Sequence, residues 1–146
     1  MPERPTWIYV AGSSAPSERP RVLAAMARVR AHQSMRLTHD WVAVIDAVRA
    51  AGEALHDAVR RRSASDDLGG VARADVLWLL APDVPSTGAW VELGYALGGG
   101  HCGVRRRIVV SGPARPRCVF AALADVECDS DEDAWQAICA QTEGES

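Results

Sequence analysis

The chain has no lysine; all 16 of its basic residues are arginines, set against 19 acids. That absence excludes a P-loop, whose lysine reaches the phosphates of a bound nucleotide, and no G-x-G-x-x-G pattern offers a dinucleotide alternative. No apolar run approaches the ~20 residues needed to span a bilayer, and no signal-peptide pattern precedes the first apolar segment. The four cysteines (Cys102, Cys118, Cys128, Cys139) lack C-x-x-C spacing, so they read as reduced thiols and point to a cytoplasmic location. None of His32, His39, His56 and His101 lies three to five residues from another, and neither a metal nor a cofactor is expected. The net charge of −3 makes no electrostatic case for a nucleic-acid partner. Arg60-Arg61-Arg62 and Arg105-Arg106-Arg107 read as solvated helix ends or strand starts.

What is present fits one domain spanning residues 1–146, large enough to bury about two-thirds of its unfolded surface. β-rich runs are expected at Thr6–Ala11, Arg36–Trp41, Asp75–Leu80, Arg107–Ser111 and Val126–Cys128. Helical spacing predicts a helix over Ser17–Ala31 capped by Ser17, and another over Ala43–Ser65 broken at Gly52. A third starts near Thr87 and stops at Gly98-Gly99-Gly100, where glycine supplies a left-handed cap; a fourth covers Asp131–Gln141, before a frayed tail. Val119–Ala124 reads as a short turn.

Strands alternating with helices, and too apolar to face water, imply a parallel five-stranded sheet with helices on both faces. Right-handed crossovers favour a doubly wound, flavodoxin-like α/β order of 2-1-3-4-5. Ligands of such sheets bind beyond the carboxyl ends of the strands, between the loops after the first and third. That places Gly12-Ser13-Ser14 beside Ser86-Thr87-Gly88 and the acid Glu92, with Thr38-His39-Asp40-Trp41 nearby. Backbone N–H groups of a glycine- and serine-rich turn at a helix start can cradle a phosphate, although the same residues also make an ordinary tight turn.

Glu92 near a helix start is kept ionised by the dipole, either as a solvated partner of it or as a nucleophile. Asp66 or Asp67 could join it as the second carboxylate of glycosyl chemistry; the plainer reading is a helix-start cap and its solvated neighbour. Trp41, Trp78 and Trp90 could stack on a base, with Trp78 better placed in the core. His39 and Asp40 could read base edges or satisfy their own turn.

The segments IYVAGSS, LTHDW, DDLGGVARADVLWLL and PSTGAWVELGYALG together resemble the nucleoside 2-deoxyribosyltransferase superfamily, which includes the 5′-monophosphate N-glycosidases. The likeness runs from Trp7 to Val110, and its most specific block is G-x-x-x-E-L-G. It implies that Glu92 attacks the anomeric carbon of a nucleoside sugar and that Asp67 positions Glu92 and helps the base leave. It further implies that Tyr9 touches the nucleophile or sugar, and that Ser13 meets a 5′-phosphate. The reaction would be retaining, through a glycosyl-Glu92 intermediate captured by water or a second base.

Classical transferases of the superfamily carry an Asp six residues before the nucleophile, where this chain has Ser86. A Ser can donate to a phosphate that an Asp would repel, which favours a nucleoside 5′-monophosphate. Gly12, Ser14, Asp40, Trp41 and Gly88 complete the expected substrate contacts; the AGSSAP loop has no cation of its own, and Arg19 and Arg21 either supply one or are plain helix surface. Relatives complete their sites with a neighbouring subunit, so a homo-oligomer is expected. A non-catalytic nucleotide sensor and an NAD-cleaving glycohydrolase remain as rival readings.

Overall fold

The computed structural model describes residues 4–52 and 56–144. A five-stranded, all-parallel sheet runs in the order β2-β1-β3-β4-β5, as the strand pattern predicts. The strands are β1 (Thr6–Ala11), β2 (Met35–Leu37), β3 (Val76–Leu80), β4 (Arg107–Ser111) and β5 (Val126–Cys128). The helices are α1 (Arg19–Ala31), α2 (Trp41–Ala50), α3 (Asp57–Arg73), α4 (Gly88–His101) and α5 (Asp131–Gly144). A short 3-10 segment covers Val119–Leu123. None of the described helices is long and apolar enough to cross a membrane.

Central β3 explains why the middle of the sheet stays dry. All five of its residues, Val-Leu-Trp-Leu-Leu, are buried between β1 and β4, each contributing about 1.5–3 kcal/mol from lost water contact. α1 packs on β1 and β2 and α5 on β4 and β5, while α3 and α4 pack together against β1 and β3. Trp78 of β3 stacks on Trp135 of α5 and donates its indole N–H to Ser111 Oγ at 3.0 Å, so Trp78 belongs to the core.

Several element ends differ from expectation. α1 begins at Arg19 rather than Ser17, with Pro20 in its first turn, where a missing N–H costs nothing. β2 stops at Leu37, because Asp40 caps α2 by accepting from the Ala43 N–H at 2.9 Å. The single helix expected over Ala43–Ser65 is two; residues 53–55, just after Gly52, lie outside the described residues. α3 runs on through Asp66 and Asp67 to Arg73, so these acids sit inside a helix, not at its start.

α4 likewise passes through all three glycines of 98–100, and the left-handed turn falls at Gly103 (φ +79°). The small residues serve packing instead. A Cβ on Gly99 would lie 2.5 Å from the Arg106 guanidinium, which donates at 2.7 Å each to the Val71 and Ala72 carbonyls of α3. α5 continues past Gln141 to Gly144; residues 145 and 146 of the expected frayed tail lie outside the described residues.

Candidate active site

The carboxyl ends of β1 and β3, with the starts of α2 and α4, enclose a cleft of about 520 Å3. Gly12, Ser13 and Ser14 form one wall, and Ser86, Thr87 and Gly88 another. Asp67 and Glu92 face the same space, together with Trp41 and Ile45 of α2. Gly12 is required where the chain leaves β1, since a Cβ there would fall 2.9 Å from Val22 of α1. The adjacent Ser13 is buried and its hydroxyl accepts from the Ala15 N–H at 3.1 Å, which holds the turn closed.

Glu92 sits one turn into α4 and is 9% exposed. Tyr9, fully buried in β1, donates its hydroxyl to Glu92 Oε1 at 2.8 Å. Burial pushes the Glu92 carboxyl up to about 8; the Tyr9 hydrogen bond opposes that rise and the nearby Asp67 charge adds to it. Burial also drives the Tyr9 phenol far above its ordinary value, with Glu92 and Asp67 adding to the effect. Tyr9 is therefore a permanent donor, a neutral group that steadies a carboxylate without removing its charge.

Asp67 reaches the cleft from α3 and is also raised, first by burial and further by Asp66, against the lowering effect of His39. His39 Nε2 stands 3.2 Å from Asp67 Oδ1, although off the line of a proper hydrogen bond. α3 can approach this closely because residue 70 is glycine. A Cβ there would lie 2.8 Å from the Tyr9 ring and from His39 Cβ. Two raised carboxyls thus line one cleft, one of them backed by a buried neutral phenol, an arrangement suited to attack at a carbon and to movement of a proton.

Some expected contacts lie elsewhere. Asp40 does not line the cleft; its carboxylate is taken by the α2 cap and by Arg30. Trp41 is not at a strand exit but in the first turn of α2, 8% exposed, with its indole N–H donating to the Val10 carbonyl at 2.8 Å. Its ring is a fixed wall. Trp90 is half-buried and packs against the core.

Neither arginine expected near the phosphate is free. Arg19 pairs with Asp46, while Arg21 is held by Asp131, Glu18 and the Ala81 and Ser111 carbonyls. No arginine lines the cleft among the described residues, though Arg19 borders a narrow recess beside Ser13 and Ser14. Sequence reasoning missed Gly70 and Ile45 and gave His39 no acidic partner. Gly70 carried no signal of its own, because the helix was expected to end at Ser65; only within α3, where each glycine costs about 1 kcal/mol, does the Gly69-Gly70 pair ask for a packing reason. No family model matches this chain, and a search of curated proteins finds no match.

Proposed function

We propose that this protein cleaves or transfers the N-glycosidic bond of a nucleoside or nucleoside 5′-monophosphate, with Glu92 as nucleophile. The observation that carries this reading is the Tyr9 hydroxyl at 2.8 Å from a buried Glu92 Oε1, in a cleft shared with Asp67. A pure binding pocket has no use for a buried carboxylate steadied by a donor that cannot ionise. Glu92 in its charged form attacks the anomeric carbon, the bond from that carbon to the base nitrogen breaks, and a glycosyl ester forms. Asp67, whose raised affinity for a proton suits it to a general acid, protonates the departing base. Water or a second base then displaces Glu92.

The resemblance to the nucleoside 2-deoxyribosyltransferase superfamily rests on the same residues and gives this chemistry its substrate class. Ser86 in place of an acid supports a 5′-phosphate. With no cation on the cleft wall, hydroxyls of Ser13, Ser86 and Thr87 and the N–H groups at the start of α4 would hold it. A homo-oligomer belongs to the same reading. Val91 and Tyr95 on α4, and Phe120 and Leu123 on the 3-10 segment packed against it, are large apolar groups left exposed. A second copy would cover them; Phe120→Glu with Val91→Glu is expected to yield monomers in sedimentation.

Incubation with deoxynucleosides and with dCMP, dGMP and CMP, followed by chromatography, should release free base. Glu92→Ala should lower the rate by about 10^3-fold or more. Release that persists in Glu92→Ala would overturn the mechanism, and no turnover of any substrate would leave the sensor reading. An added free base separates transfer from hydrolysis.

A further inference from the structure

Trp41 and Ile45 are the part of the cleft lining that α2 supplies, and Ile45 lies outside every segment that carries the resemblance. Residues four apart share one face of a helix, so the two side chains form a continuous apolar strip. Its position is fixed. The Trp41 indole N–H is bonded to the Val10 carbonyl at 2.8 Å, and α2 packs against α3, which brings Asp67 to the same space. Ile45 rests on the core with one side and meets the cleft with the other.

The polar groups of the cleft are committed elsewhere. The hydroxyls of Ser13, Ser14, Ser86 and Thr87 sit on the loops after β1 and β3, where they suit a phosphate or the sugar. Glu92, in the glycosidic reading, takes the anomeric carbon. No amide, imidazole or guanidinium side chain lines the cleft among the described residues. His39 faces Asp67, and Asp40 is held by the α2 cap and Arg30. Asp67 alone remains to meet a base, as a donor. Its proton finds the same kind of acceptor beside every glycosidic nitrogen, O2 of a pyrimidine or N3 of a purine. Cytosine and uracil are alike there, and so are adenine and guanine.

Resting on that reading, we propose that the Trp41–Ile45 strip is the platform for the base, and that Ile45 sets base specificity by ring size alone. The flat face of a base offers the same apolar contact whatever its substituents. An apolar wall separates ligands that differ by one methylene by about 10- to 200-fold, whereas a wall that hydrogen-bonds the edge separates them by about 10^4-fold or more. This strip is of the first kind. It distinguishes one ring from two and does not distinguish an amino group from a keto group.

Calorimetric titration of Glu92→Gln, in which turnover is halted, tests this. The ligands are the cytosine, uracil, adenine and guanine deoxynucleosides and their 5′-monophosphates. Cytosine and uracil forms should bind within about tenfold of each other, and so should adenine and guanine forms. Adding Ile45→Phe should lower the ratio of two-ring to one-ring affinity about tenfold, and adding Ile45→Ala should raise it about threefold or more. A hundredfold preference for cytosine over uracil or for adenine over guanine, on the order of what a hydrogen-bonded edge gives, would overturn the proposal. A ring-size ratio that neither Ile45 variant moves would do the same. Base release by the parent is scored separately. The expected binding pattern without release removes the glycosidic chemistry and leaves the platform, whereas release with a strong amino–keto preference removes the platform alone. No binding of any ligand overturns both.

Discussion

Gly70 lies against the ring of Tyr9 with no room for a side chain: a Cβ would stand 2.8 Å from two ring carbons. That approach lets α3 bring Asp67 to the cleft that Glu92 enters from α4. Gly70→Ala gains about 1 kcal/mol of helix propensity, but overpacking of a buried ring costs about 1–3 kcal/mol. The ring is fixed on all sides, so the clash wins. A lower melting temperature and reduced base release are expected; a variant as stable and as active as the parent would refute the close approach.

Tyr9→Phe removes the hydrogen-bond donor to Glu92 Oε1 and nothing else of the ring. A bond to a charged group contributes about 1.5–3 kcal/mol, so turnover should fall about 10- to 100-fold. The donor favours the carboxylate, and its loss must move the acid limb of the rate profile to higher pH. A limb that stays in place would show that Tyr9 acts only through packing.

Glu92 leads to two pH effects of opposite sense. As a nucleophile it must be ionised, so the rate should rise with pH through about 8 for as long as Asp67 keeps the proton it gives to the base. Stability should move the other way. The folded state keeps a proton on Glu92 that the unfolded chain releases near 4.5, so the stabilisation is complete below 4.5 and is lost as pH rises through about 8. The slope is at most about 1.4 kcal/mol per pH unit. Denaturant titrations across this range should show the decline in the parent and a shallower one in Glu92→Gln.

His39 holds Asp67 down against the upward push of burial. His39→Gln should therefore raise the pH at which the Asp67 carboxyl carbon titrates by NMR, and move the alkaline limb of the rate profile, where Asp67 loses its proton, in the same direction. An unmoved Asp67 titration would reduce His39 to a packing residue.

The sheet was readable from the chain because β3 announces itself: five consecutive apolar residues, ended by Ala81-Pro82-Asp83, fit a strand covered on both faces and are too short for a buried helix. Glu92, Ser13 and Ser86 were readable for a related reason, since a parallel order carries the ends of particular strands to one crevice. What escaped depended on contacts between elements far apart in sequence. The run 98–100 looks like a helix stop until Arg106 is seen to need the space over Gly99. Asp67 looks like a cap until Gly70 is seen against Tyr9, and Asp40 looks like a reader of bases until Ala43 and Arg30 occupy it.

Arg106 gives the cleft a mechanical dependence on the opposite end of the molecule. Its guanidinium binds the last carbonyls of α3 while lying over Gly99 of α4. The two helices that deliver Asp67 and Glu92 are therefore hinged on one rigid planar group, about 10 Å along α4 from Glu92. Like the rivet of a pair of tongs, it sets the gap between the jaws without touching what they hold.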